Sequence, residues 1–147
     1  MSHFAFRTAL VLTLAAAALP ALAQAPVQKP SQGQMKAAVS AYFDAMNAGD
    51  ADKAKAAFSA GAMIEDPVGA ALRSVGEFVP RVIGQKGHFT TVLMTGSNLN
   101  FVTAAVTLSR PDGSGVNAIE LFTFDPDGKI SGLKVYAGTE DRKAANK

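Results

Sequence analysis

The chain has 147 residues, a formal net charge of +2, 48% hydrophobic residues and no cysteine. That length suits one domain with a core of its own. Disulfide and thiol chemistry are excluded, and the scattered lysines and arginines form no basic stripe, which argues against a nucleic-acid partner.

The N-terminus has its own pattern. Arg7 precedes an almost wholly apolar run from Ala9 to Leu19, followed by Pro20 and Ala21-Leu22-Ala23. This is the layout of a secretory signal peptide over residues 1–23, with cleavage expected before Gln24 and delivery to the periplasm. The run is short for a bilayer span, so no membrane attachment is expected after cleavage. Residues 24–33, polar and proline-bearing, read as a flexible linker, residues 34–139 as the domain and residues 140–147 as a flexible tail.

A first helix is predicted over residues 34–47, because Met35, Val39, Tyr42 and Met46 fall on one stripe. Gly49 stops it, and Asp50 caps a second helix reaching about Ser59, with Ala54, Ala57 and Phe58 on its buried side. A strand containing Ile64 and Asp66 follows and ends at Pro67, which has no N–H for a ladder bond. Ser74-Val75-Gly76-Glu77 fits a capping box. The helix it opens should bury Val75, Phe78, Val79, Val82 and Ile83, with a kink or early end at Pro80. From His88 onward the pattern is one of strands: 88–94, 98–109, 116–124 and 129–137, with turns at Pro111-Asp112-Gly113 and Asp125-Pro126-Asp127-Gly128. Helices first and hairpin-linked strands after predict an α+β fold, a mostly antiparallel sheet curling around helices.

Three polar groups point at the expected interior. Tyr42 lies on the apolar stripe of the first helix. Asp66 shares a strand face with Ala62 and Ile64. Glu120 shares a face with Ala118, Phe122 and Phe124, where burial would raise its pKa and keep it a hydrogen-bond donor. No metal-ligand spacing, phosphate-cradling glycine loop or nucleophile elbow accompanies them. The chemistry open to them is cofactor-free proton transfer, one carboxylate as base and two neutral donors on the resulting oxyanion. Each residue also has a plainer reading: Asp66 capping the Pro67 turn or paired with Arg73, Tyr42 as an ordinary core tyrosine, Glu120 as an exposed strand residue.

Tyr42-Phe43-Asp44-Ala45-Met46-Asn47-Ala48-Gly49-Asp50, Phe58, Ile64-Glu65-Asp66-Pro67-Val68-Gly69, Ala118-Ile119-Glu120-Leu121-Phe122-Thr123-Phe124 and Asp127-Gly128-Lys129-Ile130 together resemble the bacterial Δ5-3-ketosteroid isomerases. Those enzymes belong to the nuclear-transport-factor-2-like (NTF2-like), or SnoaL-like, superfamily of cone-shaped α+β folds. The resemblance implies a steroid delta-isomerase-like enzyme without a cofactor, acting on a hydrophobic, steroid-like ketone and forming a homodimer. It implies Asp66 as the base, with Tyr42 and a protonated Glu120 as oxyanion donors. In the family that second donor is an aspartic acid known to stay neutral. Glutamate is one methylene longer, and a donor displaced by about 1 Å can lower a rate on the order of 10²-fold. Phe58, Phe101, Phe122 and Tyr136 are the expected pocket walls. Two further readings stay open: a SnoaL-like cyclase or dehydratase on another hydrophobic ketone, and a non-catalytic periplasmic protein that binds a small molecule.

Overall fold

The computed structural model describes residues 29–96 and 99–138. The segments predicted as signal peptide and C-terminal tail, and most of the predicted linker, lie outside the described residues. The elements follow the chain as α1 (Gln32–Asn47), α2 (Ala51–Ala56), β1 (Phe58–Glu65), β2 (Arg73–Ser74), α3 (Val75–Gly84), β3 (His88–Gly96), β4 (Phe101–Ser109), β5 (Gly115–Phe124) and β6 (Ile130–Ala137). The strands form one six-stranded sheet in the order β2-β1-β6-β5-β4-β3. All pairings are antiparallel except β1 with β6. This is the expected α+β architecture, with the helices packed on one face.

Local chemistry explains most element ends. Ser31 and Ser74 both form complete capping boxes, with Gln34 and Glu77 as the reciprocal partners. Asp50 Oδ1 accepts the Lys53 N–H at 2.9 Å and starts α2. That helix ends at Ala56, three residues earlier than expected, because Phe58 leaves it to begin β1. Gly61 lies inside β1 at φ 76°, where the register with β6 shifts. A bulge of this kind needs positive φ, which glycine supplies without a side-chain clash.

Pro80 does not end α3, which continues to Gly84. The lost backbone bond is outweighed by burial of Phe78, Val79 and Val82 against the sheet. The stripe of α1 is buried as predicted, with Phe43 and Ala45 added to it. Asn47 ties the end of α1 to β3: its Nδ2 donates to Phe89 O at 2.9 Å, and its Oδ1 accepts the Phe89 N–H at 2.7 Å. The core lies between α1, α3 and the concave row of β4, β5 and β6 residues, including Val102, Ala104, Phe122, Phe124, Ile130 and Leu133.

Candidate active site

Asp66 stands just beyond the end of β1, at a cis peptide to Pro67. Its neighbours hold the turn on both sides. The Val68 N–H donates to Val135 O of β6 at 2.8 Å, and Glu65 Oε1 accepts the Gly69 N–H at 2.7 Å. Glu65 Oε2 also lies 3.5 Å from Lys134 Nζ. With Glu65 thus occupied toward β6, Asp66 turns to the helix side and meets α3. Its ion-pair partner is Arg81, not Arg73: Arg81 Nη2 is 3.0 Å from Asp66 Oδ2. The Asp66 side chain keeps 25% of its exposure and that of Arg81 keeps 42%, so the pair sits at a boundary with solvent.

Glu120 occupies the middle of β5, between Ala104 of β4 and Val135 of β6. Face alternation put it inward, and it is 5% exposed. Its Oε2 atom is buried with no hydrogen-bond partner among the described residues. Burial first, and the negative charge of Asp66 second, raise its pKa from 4.5 to about 8. A neutral carboxylic acid carrying one O–H donor is the form this environment favours.

Both carboxyls line one cavity of about 90 Å³. Most of its wall comes from three elements with two periodicities. Phe78, Arg81, Val82 and Gln85 follow α3 at helical spacing; Val106, Leu108 and Arg110 follow β4 and the turn beyond it at every second residue; Val116, Ala118 and Glu120 do the same on β5. Three polar wall residues were not singled out in the sequence: Arg81, Gln85 and Arg110. The signal for them was available, since positions 78, 81, 82 and 85 form one helical stripe and 106, 108 and 110 one strand face.

The expected walls lie elsewhere. Phe58 and Phe122 are sealed in the core beside Tyr42, at ring-centroid distances of 5.4 and 5.8 Å. Phe101 projects from the other face of β4, because the even-numbered residues Val102, Ala104 and Val106 are the buried ones. Tyr136 is 45% exposed and lines a groove on the outer face of the sheet with Val92 and Ile119. None of the four borders the cavity of Asp66 and Glu120.

Tyr42 does not border that cavity either. It is 1% exposed and packed against Phe43, Phe58 and Phe122. Burial, then the charges of Glu120 and Asp66, hold its phenol well above the usual range, so it keeps its proton at neutral pH. It is close enough to both carboxyls to feel their charge, without lining the cavity they face. Among the described residues no group of three or more His, Cys, Asp and Glu side chains is arranged to hold a metal ion.

Comparison with known proteins agrees with this architecture. Residues 39–133 match the SnoaL-like domain. Over 109 residues the chain is 29% identical to a steroid Delta-isomerase of Nocardioides simplex, covering 70% of this chain and 89% of that enzyme. A solved structure of SalBIII, an epoxide hydrolase/cyclase-like enzyme with a role in pyran ring formation in the polyether salinomycin, superposes with a TM-score of 0.69 at 28% identity. That match spans 76% of this chain and 95% of SalBIII. An NTF2-like protein of Cytophaga hutchinsonii shares the fold at TM-score 0.64 and 16% identity, over 74% of this chain and 94% of its own. With the family pattern matched across most of its length and the two carboxyls facing one cavity inside that fold, the chain belongs to the SnoaL-like domain family.

Proposed function

We propose that the protein is a steroid delta-isomerase-like enzyme that moves a carbon–carbon double bond into conjugation with a ketone. One observation carries this reading: Glu120, buried and with Oε2 unpartnered, faces the same cavity as the half-buried Asp66. A buried polar atom without a partner is costly, and sites that bind a polar ligand atom are where such atoms occur.

In this mechanism the Asp66 carboxylate takes a proton from the carbon between the ketone and the double bond. The electron pair moves into a dienolate, and negative charge develops on the ketone oxygen. The Glu120 O–H donates to that oxygen, and Asp66 returns the proton to the far carbon of the former double bond. Only protons move, so no redox partner or metal is required. Tyr42 keeps its proton and packs against Phe122, two residues along β5 from Glu120, so it holds the core beside that donor. Arg81 must release or share Asp66 as the substrate enters. A void of roughly 150 Å³ holds one benzene ring. The 90 Å³ here therefore takes only the reacting end of a ring ketone, with the remainder in the mouth.

The test is ultraviolet monitoring of 5-androstene-3,17-dione with purified protein. Conjugated enone should form, and Asp66→Asn should lower kcat by about 10² to 10⁴-fold. Turnover no faster than buffer would remove the isomerase reading for this substrate class.

A cyclase reading uses the same two carboxyls, one as base and one as acid in a ring-closing addition. The likeness to SalBIII favours it, and it becomes the better account if enone formation fails while a hydroxy-epoxide is cyclised.

A homodimer through the outer face of the sheet belongs to the same proposal. Val92 and Leu93 are 71% and 61% exposed on β3, and Ile119 and Tyr136 stand nearby on the same convex side. Light scattering should give twice the chain mass, and Ile119→Glu should halve it; a wild-type monomer would end this part of the reading.

A further inference from the structure

The cavity has two unlike ends. Asp66 and Glu120 occupy one, and Arg110 stands at the other. Arg110 follows the last residue of β4 and shares the inward-facing row of Val106 and Leu108. Six residues of strand separate it from Ala104, the partner of Glu120, which is about 20 Å of backbone at about 3.3 Å per residue. The side chain reaches back into the cavity wall, so the distance between the two functional ends is shorter than that.

The guanidinium is held by neutral acceptors. Nε and Nη2 both donate to Gln85 Oε1, at 3.2 and 3.1 Å, and Nη1 lies 3.5 Å from Ser114 Oγ. Gln85 is the C-cap of α3, so the fork is fixed to a helix end on one side and to its own turn on the other. A guanidinium has five N–H groups, and these bonds leave two of them open. Among the described residues no carboxylate lies within ion-pair distance of Arg110. Asp112 is close enough to feel its charge, but the Asp112 Oδ1 accepts the Ser114 N–H at 2.9 Å instead. Arg81, the other arginine of the wall, is already neutralised by Asp66. Arg110 is thus a half-buried, positioned cation without a bonded counter-charge, bordering a cavity whose opposite end is acidic.

We propose that Arg110, oriented by Gln85, is an anion subsite that selects ketones carrying a carboxylate at the end remote from the reacting carbonyl. This rests on the ketone binding at Glu120 as described above. A planar fork with two free N–H groups matches a carboxylate, and a partly desolvated pair of this kind is stronger than one in open water. The same arrangement sets direction. A carboxylate placed beside the ionised Asp66 is repelled, so the ligand binds with its ketone inward and its acid outward.

Direct binding separates this from a purely structural tie. Calorimetry with the full chain compares 3-oxo-4-androstene-17β-carboxylate with the neutral 3-oxo-4-androstene-17β-carboxamide. The carboxylate should bind about tenfold more tightly, with the margin shrinking between about 50 and 500 mM salt. Arg110→Met should erase the margin and leave carboxamide affinity within about twofold. If that variant does not fold, Gln85→Leu, which untethers the fork and keeps its charge, should reduce the carboxylate preference alone. Equal wild-type affinities, no binding of either probe, or equal weakening of both by a folded variant would overturn the subsite. Turnover of 5-androstene-3,17-dione reads the isomerase proposal separately. A retained carboxylate preference without turnover sinks that proposal and keeps this one.

Discussion

Along the inner row of β5 two regions meet at Glu120. Beyond it, Phe122 and Phe124 are fully buried, and Phe122 closes against Tyr42 and Phe43 with ring centroids 5.8 and 5.7 Å apart. Before it, Ala118 and Val116 are too small to reach α3, and the cavity opens there. One strand with one alternation thus builds a dry aromatic plug against α1 and a void opposite α3, with large inward residues in the first and small ones in the second. Glu120 stands at the junction. The plug supplies the desolvation that keeps it neutral, and the void exposes it to a ligand.

Three substitutions probe that contrast. Phe122→Ala removes the centre of the plug and should destabilise the fold by about 3–5 kcal/mol, read by chemical denaturation. It should also return Glu120 toward an ordinary carboxyl pKa, since water would reach it. A loss under about 1 kcal/mol would mean that the plug is not a packed core.

Glu120→Gln tests the junction through pH. In the unfolded chain Glu120 ionises near its ordinary 4.5, whereas in the fold it keeps its proton to about 8. The unfolded state therefore releases its proton first. The stability associated with neutral Glu120 is fully present below pH 4.5 and is lost as pH rises, until the folded form also ionises near 8. Wild type should weaken across that window by on the order of a few kcal/mol, and Glu120→Gln should remove that part of the slope. Parallel stability curves for the two proteins would show that Glu120 is not buried as a neutral acid. In the isomerase reading the wild-type rate also falls above about pH 8, as the donor is lost.

The smallest effect on stability belongs to the void. Ala118→Leu adds three carbons where there is space, and should change stability by no more than about 1 kcal/mol. It should nevertheless reduce kcat/KM by about tenfold or more by filling the site. A variant as active as wild type would place the reaction elsewhere.

Much of this arrangement follows from neighbouring residues alone. The α1 stripe, both hairpin turns, the Ser74 capping box and the inward face of β5 rest on interactions within a few positions, so periodicity and turn chemistry reveal them. The misassigned positions are those where a distant element takes part. Phe58 fits the second helix by spacing, yet it serves β1 because its ring has a place against Tyr42. Phe101 alternates plausibly either way, and only pairing with β5 puts Val102 inward in its stead. Pro80 breaks one helical bond, and the sheet beneath α3 overrides it.

The carboxyls divide in the same manner. Residue order alone was enough to set Asp66 where β1 gives out and Glu120 on a face with two phenylalanines, because side-chain direction in a strand depends only on parity. It could not determine that Arg81 would meet Asp66, that Tyr42 would stay out of the cavity lining, or that Arg110 and Gln85 would close its far end. Those contacts join residues 15 to 25 positions or more apart, and they form only when α3 packs across the sheet. The tertiary structure decided them because burial and cavity shape are properties of the assembled layers, not of any one segment.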